Sequence, residues 1–261
     1  GGKGGNQAVA AARCGAATAM VAAVGQDEAG GIMLASLWDA GVDTGAVITL
    51  PDQPTGQAFI WVSAAGENSI VVAGGANALL TPAHAADLGQ HKVILGQLET
   101  PVETLETAFA QSRGATRILN AAPALDAGKR LLPLTDILIV NETELARYAD
   151  LAAVPEALED VAAAARRLIT REGQTVIVTL GKAGAVAVTR DSLQRVEGRP
   201  AKVVDTTGAG DCFCGVLAAR LSQGASLADA MLWANTAAGL STEKPGAAPS
   251  MPTLAQIEAA L

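Results

Sequence analysis

The sequence predicts an α/β fold: a doubly wound, mostly parallel sheet flanked by helices, with a small antiparallel β lid. Short β-branched runs alternate along the chain with longer stretches whose apolar residues recur at helical spacing, which is the pattern of parallel βαβ units. One segment breaks the alternation with consecutive strand-like runs, which indicates a separate antiparallel sheet. A chain of 261 residues is compatible with a single domain, and we expect one domain over 1–261.

The strands of the main sheet are predicted from short apolar runs that end in turn or polar residues. They lie at 93–98, 116–120, 136–140 and 175–180. Residues 102–112 and 158–170 place Leu, Val, Ala and Ile at three- and four-residue intervals, so each predicts a helix with an apolar stripe. Ligands of such sheets bind beyond the carboxyl ends of the strands, so the residues that follow these runs are candidate site residues.

The antiparallel sheet is predicted from three strand-like runs at 44–50, 56–63 and 69–72, with turn residues between them, including 65–68. The region 44–73 is therefore a candidate lid that closes over a substrate and excludes water. An ordinary edge hairpin packed on the core is the alternative.

The composition favours a small molecule as partner. The chain has 26 acidic and 18 basic residues and a formal net charge of -8, which argues against a nucleic-acid partner because phosphate backbones attract Lys and Arg. The apolar runs are too short to span a membrane. Three cysteines form neither an even disulfide set nor a CxxC pair, and the two histidines have no nearby ligand partners. The polar, glycine-rich start is unlike a signal peptide, so we expect a cytoplasmic protein.

The most informative motif runs from Asp205 to Asp211 with the sequence DTTGAGD, and it precedes a predicted helix over 212–223. Glycines at a helix start expose backbone N–H groups at the positive end of the helix dipole, which makes an anion site. Asp211 would face that anion and is a suitable base for a hydroxyl that attacks a phosphoryl group. The alternative is that Asp211 only complements the helix dipole.

A second glycine cluster, GGKGGNQ, opens the chain and leads into an Ala-rich helix over 8–15. It does not match a GxxxxGK[ST] phosphate loop, because its Lys comes too early and no Ser or Thr follows it. Glycines that admit a ligand to the backbone, with Lys3 and Asn6 as donors, suit a polyhydroxyl compound.

Together the two clusters resemble the PfkB family of carbohydrate kinases, and the first resembles the ribokinase group within it. Other elements follow in the family's order: Gln97-Leu98-Glu99, Asn120-Ala121-Ala122-Pro123, Asn141-Glu142-Thr143-Glu144, the run 179–184 and the run 246–250. The resemblance implies a kinase that transfers the γ-phosphoryl group of ATP, bound with Mg²⁺, to the 5-hydroxyl of D-ribose, with K⁺ or another monovalent cation as activator. A homodimer through the lid is also implied.

The resemblance assigns residues to four groups. Sugar contacts are implied for Gly2, Lys3, Asn6, Glu99 and Asp211. The anion hole beside the catalytic Asp211 is implied for Gly208, Ala209 and Gly210. Nucleotide contacts are implied for Asn141, Glu144, Thr179, Gly181, Gly184, Gly210 and Asn235. The monovalent-cation site is implied, mostly through backbone oxygens, for Asp205, Thr207, Ser241, Lys244, Gly246 and Ser250. For Asn141 and Glu144 a helix-capping role is the alternative, and for Gly181 and Gly184 a plain hairpin turn.

Family members carry a strand and further lid strands before the GGKG element, and the sequence given starts at that element. If the protein lacks them, weaker sugar binding and altered dimerisation are expected. Two other functions stay open: a related kinase for another sugar or a nucleoside, whose base Trp61 would stack against, and a catalytically silent paralogue that binds sugar or nucleotide.

Overall fold

The computed structural model describes residues 1–62, 68–85, 88 and 90–261, with the backbone alone for 60–62 and 68–70. Some predictions therefore fall outside the described residues: Ser63 of the predicted strand, residues 65–67 of the predicted turn, and the side chain of Trp61. Among the described residues, no helix combines the length and the apolar character needed to cross a membrane.

The main sheet has six strands, which lie in the order β12 (Leu193–Val196), β11 (Ala185–Val188), β10 (Thr175–Thr179), β9 (Ile137–Asn141), β8 (Thr116–Asn120) and β7 (Val93–Gly96). Strands β7 to β10 run parallel, whereas β11 and β12 extend the sheet as an antiparallel hairpin from β10. The four strands predicted from the sequence are β7 to β10, each within two residues of its predicted bounds. The other strands of the described residues are β1 (Thr18–Ala19), β2 (Ala22–Gly25), β3 (Val42–Asp43), β4 (Val47–Leu50), β5 (Gln57–Val62) and β6 (Asn68–Ala73).

Helices cover both faces of this sheet, and several begin at a side chain that caps the first turn. Asp27, Ser226 and Thr253 each accept a backbone N–H three residues on, which satisfies a donor that the helix cannot pair. The α-helices of the described residues are α1 (Lys3–Arg13), α2 (Glu28–Asp39), α3 (Val102–Gln111), α4 (Glu142–Tyr148), α5 (Leu158–Arg167), α6 (Ala209–Ser222), α7 (Leu227–Ser241) and α8 (Leu254–Glu258).

Alternation along the strands places one apolar core on each face of the sheet. In β9, Ile137 and Ile139 belong to the core beneath α1, α6 and α7, whereas Leu138 and Val140 belong to the core beneath α3, α4 and α5. Side chains of successive strand residues point to opposite faces, so a strand covered on both sides is apolar throughout. The prediction of a doubly wound, mostly parallel sheet is confirmed.

The predicted three-stranded antiparallel sheet is wrong in its first strand. β5 and β6 pair antiparallel, from Gln57 opposite Ala73 to Val62 opposite Asn68. The run 44–50 instead supplies β4, which pairs parallel with β2. Ile48 and Leu50 pack on a small core that contains Ala23. β4 pairs with β2 because this pairing buries Ile48 and Leu50 against that core. The sequence predicted pairing with the next strand-like run, because neighbouring runs in the sequence do not show which core a strand is buried against.

Candidate active site

A polar cleft of about 210 Å³ opens at the carboxyl ends of β8, β9 and β10, beside the starts of α1 and α6. Parallel strands place their carboxyl ends at one edge of the sheet, and ligands of such folds bind there. The cleft is lined by Lys3, Asn120, Ala122, Ile139, Val140, Asn141, Glu144, Thr179, Gly208, Gly210, Asp211 and Cys214. Residues from both glycine clusters and from three of the motifs after strands therefore meet at one site.

The DTTGAGD run begins α6, as the sequence predicts. Gly208 is the N-cap with φ 79°, a left-handed conformation that favours glycine, and Ala209 is the first helical residue. The backbone N–H groups of the first turn have no partner within the helix, and they lie at its positive end. This end of α6 therefore has the backbone geometry of an anion site.

Asp211 is 7% exposed and accepts hydrogen bonds from two amides of α1. The Nδ2 of Asn6 donates to its Oδ2 at 2.8 Å, and the Nε2 of Gln7 donates to its Oδ1 at 3.0 Å. Burial raises the pKa of the Asp211 carboxyl above its ordinary value, while Lys3 and the two amides partly offset that rise. A carboxylate that is buried but kept hydrogen-bonded has a suitable environment for a base.

One polar atom beside Asp211 has no partner in the described part of the chain. Because the Nδ2 of Asn6 faces the carboxylate, its Oδ1 points the other way, and this atom is buried without a hydrogen-bond donor. A buried acceptor normally finds a donor. A hydroxyl group of a bound molecule would supply one.

The remaining predicted sugar contacts lie at the entrance to α1. The backbone N–H of Lys3 donates to Oε2 of Glu99 at 2.7 Å. Gly2 has φ 72°, and a Cβ built on it would lie 3.4 Å from the same oxygen. The structure thus places Gly2, Lys3 and Glu99 together, with Lys3 among the residues that line the cleft.

Asn141 and Glu144 form a capping box at the start of α4: the Asn141 side chain accepts the N–H of Glu144, and the Glu144 carboxylate accepts the N–H of Asn141. Both residues also line the cleft. Burial raises the pKa of Glu144, and Asp211 raises it further, against the opposing effects of the Asn141 hydrogen bond and Lys3. The capping interpretation is correct as geometry, and it leaves the pair facing the cleft.

Of the other predicted nucleotide contacts, Thr179 and Gly210 line the cleft, and Gly181, Gly184 and Asn235 are not among its lining residues. Gly181 and Gly184 both have positive φ in the turn between β10 and β11, and a Cβ on Gly184 would lie 2.0 Å from the Val196 carbonyl oxygen. Asn235 of α7 donates to the Glu197 carbonyl at 2.8 Å. The backbone geometry of the turn is therefore sufficient to explain glycine at 181 and 184, as the hairpin interpretation predicts.

The predicted cation residues lie in two adjoining stretches: the loop before α6, which holds Asp205 and Thr207, and the stretch from the last residue of α7, Ser241, through the loop that follows it to Ser250. Asp205 joins them, because its Oδ1 accepts the N–H of Thr207 at 2.9 Å and its Oδ2 accepts the N–H of Gly246 at 2.8 Å. Hydrogen bonding by the Thr207 side chain, and then by the backbone N–H groups of Gly246 and Thr207, lowers the pKa of Asp205. The hydroxyls of Ser241 and Ser250 donate to carbonyls three residues back, and the N–H of Lys244 donates to the Ser241 carbonyl at 3.4 Å.

Sequence reasoning missed three amides of the site: Gln7, Asn120 and Gln97. Gln7 donates to Asn120 as well as to Asp211, and it accepts from Gln97. All three stand in motifs quoted for the family resemblance, but no role was predicted for them. The available signal was a Gln in the apolar, Ala-rich helix α1, because a buried amide needs partners.

Comparison with known proteins identifies relatives along almost the whole chain. A family model described as pfkB family carbohydrate kinase matches residues 1–254. A ribokinase of Staphylococcus aureus is 36% identical over 264 residues, which cover 98% of this chain and 86% of that protein. A bifunctional ribokinase/ribose-5-phosphate isomerase A of Fructilactobacillus sanfranciscensis is 41% identical over 260 residues, which cover 97% of this chain and 48% of that protein.

Solved structures agree with these relatives. Arabidopsis thaliana ribokinase complexed with ribose and ATP has a TM-score of 0.90 and 30% identity, covering 99% of this chain and 86% of that chain. Related proteins are also named for other sugars: a deoxyribokinase of Salmonella typhi is 35% identical over 263 residues, covering 98% of this chain and 85% of that protein. A fructokinase of Vibrio cholerae, with fructose, ADP and calcium bound, has a TM-score of 0.85 and 27% identity, covering 100% of this chain and 91% of that chain.

Proposed function

The chain belongs to the PfkB family of carbohydrate kinases and is an ATP-dependent sugar kinase, and we propose that D-ribose is its acceptor, phosphorylated at the 5-hydroxyl. The observation that carries this proposal is the position of Asp211. It lies in the first turn of α6, next to the glycines, and is held by Asn6 and Gln7. The arrangement joins a base, a hydroxyl-binding amide and an anion site.

Asp211 is proposed as the catalytic base. The hydroxyl of the sugar would donate its proton to this carboxylate while its oxygen attacks the γ-phosphorus, and ADP would leave. In this arrangement the unpartnered Oδ1 of Asn6 accepts a second sugar hydroxyl. The backbone N–H groups of Gly208, Ala209 and Gly210 are proposed to bind the phosphoryl oxygens. The N–H of Ala209 donates to the Thr206 carbonyl at 3.2 Å and would exchange that partner for the phosphoryl group. Binding energy at these groups acts mainly through position and charge, as phosphoryl transfer requires.

Ribose is favoured among the sugars because two relatives named above are ribokinases and one solved ribokinase holds ribose and ATP. Gly2, Lys3, Asn6 and Glu99 are proposed as its further contacts, since the structure brings them together beside Asp211. The deoxyribokinase relative makes deoxyribose the second candidate. The intact Asp211 cluster argues against a silent paralogue.

The nucleotide is proposed to enter over the carboxyl end of β10. Asn141, Glu144 and Thr179 line the cleft there, and Gly181, Gly184 and Asn235 are proposed as contacts farther along the ribose and adenine. Mg²⁺ bound with ATP would neutralise charge on the transferring phosphoryl group. The described residues hold no cluster of three or more His, Cys, Asp or Glu suited to a metal, which fits an ion held chiefly by the nucleotide, with Asn141 and Glu144 acting through water.

A monovalent cation such as K⁺ is proposed between the two stretches that Asp205 joins. Backbone carbonyls of Asp205, Thr207, Ser241, Lys244, Gly246 and Ser250 would supply oxygens, which suit a large, weakly charged cation better than a transition metal. The side chains of Ser241 and Ser250 are already engaged within their own turns, so the fit rests on the carbonyls. Dimerisation through β5 and β6 and a cytoplasmic location stay predictions.

The test is a coupled assay for ADP release with ATP, Mg²⁺ and K⁺, across D-ribose, deoxyribose, fructose and adenosine. Turnover confined to ribose is expected. Asp211→Asn should lower kcat by about 10²- to 10⁴-fold while ATP binding survives. The control for loss of an Asp charge is Asp160→Asn, at an exposed position in the first turn of α5. Equal activity in Asp211→Asn and the wild type would refute the base. Turnover with another sugar but not with ribose would refute the acceptor.

The pH dependence adds a second test. The base must be ionised, so kcat/KM for the sugar, which reports ionisation of the free enzyme, should fall as the pH falls through the pKa of Asp211. Because burial raises that pKa, the acid limb of the profile is expected above the ordinary range for Asp.

A further inference from the structure

A chain of side-chain amides leads from the end of β7 to Asp211. The Nε2 of Gln97 donates to Oε1 of Gln7 at 2.5 Å, and the Nε2 of Gln7 donates to Oδ1 of Asp211 at 3.0 Å. The same Nε2 also donates to Oδ1 of Asn120 at 3.0 Å. Gln97 therefore reaches the carboxylate through one intermediate side chain.

The chemistry of the groups sets the direction of each donor. An ionised carboxylate only accepts hydrogen bonds, so Gln7 must turn its NH₂ group toward Asp211 and its carbonyl oxygen away. That oxygen requires a donor, which Gln97 supplies. Asn120 fits the same order, because its Nδ2 faces the Ile139 carbonyl at 3.4 Å and its oxygen is left for Gln7.

The burial of Gln7 and the close packing around Gln97 make this arrangement of donors and acceptors difficult to change. Gln7 is 1% exposed, so bulk solvent does not reach its amide to replace a lost partner. The amide of Gln97 lies against Gly4: a Cβ built on Gly4 would be 3.0 Å from Oε1 of Gln97. A glycine at this position in α1 leaves room for Gln97 to face Gln7.

We infer that Gln97 is a positioning residue, which fixes the orientation of the Gln7 amide and thereby keeps a hydrogen-bond donor on Asp211. The inference rests on the proposed role of Asp211 as the base. Gln7 holds Oδ1 as Asn6 holds Oδ2, so both oxygens of the carboxylate have a fixed place relative to the sugar hydroxyl. Donors also favour the ionised form, which opposes the effect of burial.

Gln97→Glu tests this inference because it keeps the shape and reverses the polarity. An ionised Glu at 97 offers only acceptors, so the Gln7 amide would turn its NH₂ group toward residue 97 and its oxygen toward Asp211. The carboxylate then loses one donor. We expect the acid limb of the kcat/KM profile for the sugar to move up by about one pH unit, the shift that loss of one hydrogen bond to a charged group produces.

The control for an added carboxylate is Gln111→Glu, which places it on the exposed end of α3, and its acid limb should match that of the wild type. A protonated Glu at 97 could still donate to Gln7, so Gln97→Met, which has no donor in any protonation state, is assayed as well, and an unmoved limb in both folded variants overturns the inference. Asp211→Asn, assayed beside them, separates the two proposals: activity retained there refutes the base, whereas activity lost there together with an unmoved limb in both Gln97 variants refutes only the positioning role.

Gln7→Met provides a second, independent route. It removes the donor directly, so its acid limb should also rise by about one pH unit, and an unmoved limb in the folded variant overturns the inference. In the double variant Gln7→Met/Gln97→Glu, the second change should add nothing, because the amide that transmits it is gone. Shifts that add would show that charge at 97 acts through space and would refute transmission through Gln7.

Discussion

Gly208→Ala tests the close approach of two loops at the start of α6. Gly208 has φ 79°, and a Cβ built on it would lie 2.8 Å from the Cβ and 3.1 Å from the Cα of Ala247. Ala247 follows Gly246, whose N–H donates to Asp205. Adding a methyl group at 208 therefore both strains the backbone and pushes away the loop proposed to hold the cation.

The magnitude has two parts. A left-handed conformation costs alanine about 1 kcal/mol relative to glycine, and forcing a methyl group into an occupied space costs about 1–3 kcal/mol. Gly173 separates them, because it has nearly the same φ, 77°, and nothing within 4 Å of its built Cβ. Gly173→Ala should lower the free energy of unfolding by about 1 kcal/mol, and Gly208→Ala by about 2–4 kcal/mol.

Urea unfolding of both variants measures the difference, and the ADP-release assay at several K⁺ concentrations measures its effect on catalysis. Gly208→Ala should lose activity and require more K⁺, whereas Gly173→Ala should keep the wild-type values. Equal unfolding free energies for the two variants would refute the collision with Ala247. Wild-type kcat and K⁺ dependence in Gly208→Ala would refute the functional role of this loop contact.

Two further perturbations test the anion site and the fold. Gly210→Ala has space for its methyl group and should stabilise α6 by up to about 1 kcal/mol. If the phosphoryl group contacts the backbone at 210, the same change should lower kcat by about ten- to a hundredfold. An unchanged kcat would contradict that contact. Burial raises the pKa of Asp136, but hydrogen bonds from Arg117 and Arg171 outweigh it and lower the pKa overall, so Asp136→Asn should cost about 1–2 kcal/mol at neutral pH. Because the folded-state pKa is depressed, this difference should shrink as the pH falls below the ordinary Asp pKa, and a pH-independent difference in urea unfolding would count against the ion pair.

Much of the fold follows from local patterns in the sequence. Strands β7 to β10 and helices α3, α5 and α6 were predicted from apolar periodicity, because each spacing satisfies a local geometry: two residues for a strand and 3.6 for a helix. The start of α6 was predicted from its glycines for the same reason, since a residue at φ 79° favours glycine wherever the rest of the chain lies. Asn141 and Asp211 were placed correctly at a strand end and at a helix start, whereas α1 begins at Lys3 instead of at the predicted residue 8.

Tertiary structure alone decided which of these residues meet. Gln7 and Asp211 are separated by 204 positions in the chain, and no local rule pairs them. The same holds for Gln97 with Gln7 and for β4, which pairs with β2 instead of β5. Periodicity specifies which face of a helix or strand a residue lies on. Which residues from distant parts of the chain contact each other depends on how the helices and strands pack, and burial of the two apolar cores determines that packing.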